Sequence, residues 1–269
     1  MTRSQVERSA PARSSVVTEK RVYTQNWPAY REARRNVPHA NTIFRIMREK
    51  DAVPILRQLV EESHRPFRML EVDFAADATG ISTKNYVRWF DNKHGKDRRE
   101  QQWVKLHMMI GVKTQIITGV EVTEGNVHDT TMFPSLVEQT RRYFKIREIS
   151  ADLGYLSKYN LKTIVETGGQ AFIPFKVNSV PNENDLWNRT LGLYMFDRPK
   201  FLQHYHKRSL TEATFSAIKR TLGASVKAKS FEGQASEVYL KVLCHNIRVL
   251  VQSMFELGID AQFWPEAAS

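Results

Sequence analysis

In residues 69–80 apolar and polar side chains alternate. Leu70, Val72, Phe74 and Ala76 fall on one face and Glu71, Asp73, Ala75 and Asp77 on the other, before Thr79 and Gly80 end the run. A period of two predicts a half-buried strand. Residues 85–91 (NYVRWFD), 103–112 (WVKLHMMIGV) and 115–122 (QIITGVEV) predict three more strands. Asp129 is the expected N-cap of a helix running to about residue 143. Residues 146–151 form a short predicted strand that delivers Asp152, followed by a helix over 157–166 and a strand over 170–175. Residues 178–200 are polar, carry Pro181, Asn182, Asn184 and Pro199, and are expected to leave the core as an excursion. Helical spacing returns over 205–219. It returns again over 232–257, where Val238, Leu240, Leu243, Ile247, Leu250 and Met254 form an apolar stripe.

The N-terminal quarter is patterned differently. Residues 1–20 have no periodicity and no large apolar side chain other than valine, so they are expected to be disordered. Residues 39–63 predict two short helices, with Ile43, Phe44, Ile46 and Met47 on the first and Ile55, Leu56, Leu59 and Val60 on the second. The chain is therefore divided into a tail (1–20), a short basic helical region (21–66), a main domain (67–257) and a C-terminal tail (258–269). Strands first, then alternating helix and strand, then helices, make the main domain a mixed α/β core.

Composition narrows the class. A hydrophobic share of 41% and mean hydropathy of −0.46 fit a soluble protein. No window approaches the ~18 apolar residues of a membrane span, and the polar start has no signal-peptide core. Cys244 is the only cysteine among 269 residues, which excludes an intrachain disulfide and a cysteine-based zinc cluster. A reducing, cytoplasmic setting is expected. The net charge is +11, and residues 1–70 hold 14 Lys/Arg against 7 Asp/Glu, +7 of that excess. Such a balance points to a polyanion, most often nucleic acid.

The candidate chemistry concentrates in residues 205–219 (YHKRSLTEATFSAIK). Tyr205, Arg208, Glu212 and Lys219 are spaced three, four and seven apart. At ~100° per residue they lie within ~60° of one another on one helix face. A carboxylate flanked by two cations suits a divalent metal beside nucleic-acid phosphates. The competing reading is a surface ladder of salt bridges, each worth a few tenths of a kcal/mol. Two further acids end predicted strands: Asp77, and Asp152 at a distance of 75 residues, with Glu212 another 60 residues on. Acids from distant segments at one sheet edge suit a two-metal phosphoryl-transfer centre. Asp73 shares a face with Asp77 but stands ~13 Å away along the strand, too far for one metal pair. His107, His128, His204, His206 and His245 are read as structural, and Trp187 as packing rather than base-stacking.

With these residues named, the chain resembles DDE transposases of prokaryotic insertion sequences, in the group marked by Y-x2-R-x3-E-x6-K. Tyr205, Arg208, Glu212 and Lys219 match every spacing. Residues 73–82 (DFAADATGIS) and 150–155 (SADLGY) resemble that group's two Asp blocks, and 103–107 and 122–129 are similar as well. The resemblance covers about 67–257 and implies an RNase H-like mixed sheet flanked by helices. It implies Asp77, Asp152 and Glu212 as the catalytic ligands of two Mg²⁺ or Mn²⁺ ions. Tyr205, Arg208 and Lys219 are implied as DNA contacts. The implied activity is cleavage at transposon ends followed by strand transfer to target DNA, by a homodimer on double-stranded DNA, with no organic cofactor. The region before residue 42 is shorter than in similar transposases. That leaves open a second reading, a partly deleted or inactive remnant that only binds DNA.

Overall fold

The computed structural model describes residues 39–83 and 103–259. The expected tail at 1–20, residues 21–38 of the basic region and the strand expected at 85–91 lie outside those residues. The chain divides into two compact units, 1–45 and 46–269. Described residues of the first contribute the helix α1 (Ala40–Ile46). The second holds everything that follows.

A five-stranded sheet forms the centre of this unit. Its strands are β1 (Asp73–Ser82), β2 (Trp103–Gly111), β3 (Ile117–Glu124), β4 (Glu148–Ala151) and β5 (Gln170–Phe172). Their spatial order is β3-β2-β1-β4-β5. The pairs β1–β2 and β2–β3 are antiparallel, whereas β4 and β5 run parallel to β1. The helices are α2 (Ala52–His64), α3 (Asp129–Arg141), α4 (Lys158–Glu166), α5 (Asp185–Phe196), α6 (Arg198–Tyr205), α7 (Ser209–Leu222) and α8 (Phe231–Leu257). This is the expected mixed α/β architecture, an RNase H-like sheet flanked by helices.

The sheet is covered on both faces. Phe74 and Ala76 join Phe133, Leu136 and Leu161 on the α3–α4 side. Ala75 joins Met108, Phe215 and Val238 on the side of α2, α7 and α8. Phe74, Ala75 and Ala76 are all fully buried. The half-buried strand expected from the alternation is therefore corrected: the small Ala75 sits on the supposedly polar face because a helix layer packs there too. The strand also begins later than expected, at Asp73. Glu71 instead leaves the ladder, is buried, and accepts hydrogen bonds from Lys113 N, Thr114 N and Thr114 Oγ1 at the β2–β3 turn. Gly111 is obligatory there, since a Cβ would fall 2.4 Å from Glu71 Cδ.

The excursion expected at 178–200 is mostly two helices. The polar residues punctuate it rather than unwind it: Asn184 Oδ1 caps α5 by accepting from Trp187 N, and Pro199 stands in the first turn of α6. Leu191 and Phe201 are buried. Burial of a phenylalanine such as Phe201 contributes about 1.5–3 kcal/mol, enough to hold α6 against the sheet. Asp129 is the first residue of α3, and His128 takes the N-cap position.

Candidate active site

The parallel pairing of β1 and β4 places two of the expected acids. The last register pair is Ala76 with Ala151. Asp77 and Asp152 each come one residue later, on neighbouring strands ~4.8 Å apart. The ladder ends at this point because Asp152 caps the short 3-10 turn Leu153–Tyr155, its Oδ1 accepting from Leu153 N at 2.8 Å. Asp77 is half-buried. Its Oδ1 accepts from Ala78 N at 2.8 Å, and its Oδ2 accepts from Arg208 Nη1 at 2.7 Å and Thr211 Oγ1 at 3.2 Å. Burial holds the Asp77 carboxyl above its ordinary range. The Ala78 N–H, Arg208 and Thr211 oppose this, and the nearby charge of Asp152 adds to it.

The four-residue signature does not lie on one regular helix. Tyr205 ends α6, Arg208 closes the 3-10 turn His206–Arg208, and Glu212 and Lys219 lie on α7. The buried residues of α7, Thr211, Thr214, Phe215 and Ile218, recur at helical spacing and face the sheet. Glu212 and Lys219 flank that stripe. Arg208 bridges two acids, donating through Nη2 to Glu212 Oε1 at 2.7 Å while Nη1 holds Asp77. Its guanidinium also lies 5.9 Å from the Tyr205 ring centroid. Lys219 Nζ donates to Thr79 Oγ1 at 2.7 Å, and burial pushes its ammonium below the usual lysine range.

The helix follows β1 step by step. Lys207 meets Asp73, Arg208 and Thr211 meet Asp77, and Lys219 meets Thr79. Val226 N then donates to Ser82 O at 2.9 Å. At the far end Gly223, with φ of 88°, stops α7, and Lys241 Nζ donates to the freed carbonyls of Leu222 and Gly223. Thr79, Thr211 and Lys207 were not singled out from sequence. Strand parity was the available signal for Thr79, which lies two residues from Asp77 on the same face.

Asp77, Thr79, Glu212, Lys219 and Arg220 line one open groove of about 590 Å³. Asp152 lines a second groove of similar size with Gly154, Lys176, Ser179 and Trp187. Among the described residues no three Asp, Glu, His or Cys side chains are gathered into a ready ligand cluster. The donors nevertheless fit a hard divalent cation in kind. All three are carboxylates, and the charge of Asp152 disfavours that of Asp77 in a way a cation relieves. Asp73 is engaged elsewhere, by Arg147 and Lys207.

The chain matches the sequence model of the family described as "Transposase DDE domain" over residues 69–247. It belongs to that family of transposases. A relative from Archaeoglobus fulgidus, "Probable transposase for insertion sequence element ISA1214", is 28% identical over 179 residues, 65% of this chain. The match spans about half (52%) of that relative's length. DDE transposases generally act with divalent metal ions. Residues of the two sequence blocks at 103–107 and 122–129 meet where β2, β3 and α3 pack: His107 is fully buried, with Nε2 2.9 Å from Thr123 Oγ1 and Nδ1 3.3 Å from Asp129 Oδ1. Burial holds His107 down to about 4, against the pull of Asp129, so it is a neutral structural side chain near pH 7. Trp187 packs edge-on against Phe175 at 4.8 Å and donates through Nε1 to Val180 O.

Proposed function

We propose that this chain is a metal-dependent DNA transposase, with Asp77, Asp152 and Glu212 holding two Mg²⁺ or Mn²⁺ ions. The observation that carries this reading is the linked arrangement of Asp77, Arg208 and Glu212, with Asp152 on the adjoining strand. When bound, such ions polarise the scissile phosphate and stabilise the oxygens that attack and leave. In the first step the P–O3′ bond at the transposon end breaks as a water oxygen bonds to phosphorus. This leaves a 3′-OH on the end and a 5′-phosphate on the flank. In the second step that 3′-oxygen bonds to a target phosphorus and the target's own 3′-oxygen leaves. No bond to the protein forms in either step.

The side chains divide the work of holding DNA. Arg208 and Lys219, at the two ends of the groove-lining helix, hold phosphate oxygens by charge-assisted hydrogen bonds. Tyr205 backs the Arg208 guanidinium and adds a hydroxyl toward the backbone. The excess charge of residues 1–70 supplies affinity for double-stranded DNA independent of sequence. Two transposon ends must be held at once, so the working form is a homodimer on DNA.

Asp77→Asn and Asp152→Asn should each abolish nicking and strand transfer on end DNA while leaving a mobility shift in place. Full Mg²⁺-dependent cleavage by Asp152→Asn protein overturns the assignment. Native protein that shifts DNA but cleaves in neither Mg²⁺ nor Mn²⁺ makes the chain a binding-only remnant.

A further inference from the structure

Lys207 lies inside the four-residue signature without being one of its four positions. Its side chain and that of Arg208 leave the same turn toward points four residues apart on β1, Asp73 and Asp77, a separation of ~13 Å. Lys207 Nζ lies 2.9 Å from Asp73 Oδ2 and 2.5 Å from Glu148 Oε1. Asp73 and Glu148 are the first residues of β1 and β4 and face each other in the register. One ammonium therefore ties the turn to both strands that deliver Asp77 and Asp152.

The rest of the cluster makes this tie rigid. The other oxygen of Glu148 pairs with His204 Nδ1 at 2.6 Å, and the His204 ring stacks on Phe172 at 4.3 Å. Arg147 grips both oxygens of Asp73 at 2.7 Å. Glu148 is buried, with a side-chain exposure of 6%. A buried carboxylate tolerates only arrangements that keep its charge paired, so the turn has one seat. Burial pushes the Lys207 ammonium down, but Glu148 and Asp73 outweigh it and hold the group above the usual lysine range.

We propose that Lys207 is a positioning residue for phosphodiester chemistry. By seating the turn His206–Arg208 on Asp73 and Glu148, it sets Arg208 at the height on β1 where it meets Asp77 while holding Glu212. This rests on the reading of Asp77, Asp152 and Glu212 as the metal-holding acids. Lys207 itself touches neither DNA nor the reacting phosphate. It acts through Arg208 and the first turn of α7.

The test uses the full chain on DNA carrying the element's ends, with Mg²⁺. Lys207→Met should lower the single-turnover cleavage rate ~10- to 100-fold, the scale of a misplacement near 1 Å. The Kd for DNA should stay within about twofold, because no phosphate contact is lost. In an Arg208→Ala background the same change should add less than about twofold, since residues acting as one unit are not additive. Glu148→Gln, which keeps shape and one hydrogen bond, should give a smaller loss of the same kind and serves if the Met variant fails to fold. A native cleavage rate in either folded variant overturns the proposal. So does an equal factor in the Arg208→Ala background, or a loss of affinity in step with rate. Asp77→Asn protein run beside them separates the two levels: if it cleaves, the reading of the acids fails, and if it is inactive while Lys207→Met cleaves normally, only the positioning role fails.

Discussion

Arg208 stands between Asp77 and Glu212, 2.7 Å from a carboxylate oxygen of each. A guanidinium in that place neutralises two of the acids proposed to hold a divalent cation, so it should compete with the metal. Both carboxylates raise the proton affinity of Arg208 above its ordinary range, although burial works the other way. Arg208→Ala should therefore bind Mn²⁺ severalfold more tightly in the absence of DNA while cleaving far more slowly. Calorimetric titration measures the first and a nicking assay the second. Unchanged Mn²⁺ affinity would mean that the bridge does not oppose metal binding.

Lys219 reaches Thr79, two residues beyond Asp77 on the same strand face. It lines the groove shared by Asp77 and Glu212. A cation fixed beside the reacting centre should matter for orientation more than for bulk attraction. Lys219→Ala is expected to lower the cleavage rate ~100-fold, with at most a severalfold loss of DNA affinity. If bound DNA is cleaved at the native rate, Lys219 is only a structural partner of Thr79.

Asp152 was legible because it ends a predicted strand, and Glu212 because it sits in the helical signature. Asp77 was expected to end its strand as well, but it lies in the middle of β1, which runs on to Ser82 because β2 pairs with it that far. The parallel register that sets Asp77 beside Asp152 was not legible, since strand pairing depends on contacts 75 residues apart. The signature spacing suggested one continuous helix face, yet a 3-10 turn interrupts it at Arg208. Sequence spacing cannot distinguish that turn from a helix, because Lys207, by an ion pair, and His204, by a hydrogen bond, fix it to Glu148 on a distant strand. The polar stretch at 178–200 misled for a related reason. Asparagine and proline mark helix starts as well as loops, and Phe201 and Leu191 reveal their burial only once the sheet is present.

His64 gives the fold an acid-sensitive point away from the site. It is fully buried between Tyr143 and Phe144, with ring centroids 5.4 and 5.3 Å away, and neither ring nitrogen has a hydrogen-bond partner among the described residues. Burial, helped by the charge of Arg65, holds it down to about 3. The unfolded chain takes up the proton at the ordinary histidine value, so stability present at neutral pH is lost as pH falls below ~6.5 toward 3. The linkage amounts to roughly 2 kcal/mol between pH 7 and pH 5. His64→Phe should raise Tm at pH 7 and flatten its decline toward pH 5, by scanning calorimetry. A parallel decline in both proteins would locate the acid sensitivity elsewhere.

The basic N-terminal region predicts a different kind of DNA contact from the groove. Residues 1–36 carry eight Lys/Arg and three Glu, and none of the proposed site residues lies there. Each phosphate that such charges neutralise releases a condensed counterion, and log K falls with log salt at ~0.9 per phosphate contact on duplex DNA. Removing residues 1–36 should therefore weaken binding most at low salt and make the salt slope shallower. The rate of cleavage of saturated DNA should change little, because Arg208 and Lys219 remain. This is the reverse of the pattern expected for Lys219→Ala, so the two variants form a matched pair measured by titrations at several salt concentrations and single-turnover cleavage. A truncated protein with the native salt slope would assign the electrostatic contact to the main unit. Loss of rate at saturation would give the N-terminal residues a part in assembling the active complex.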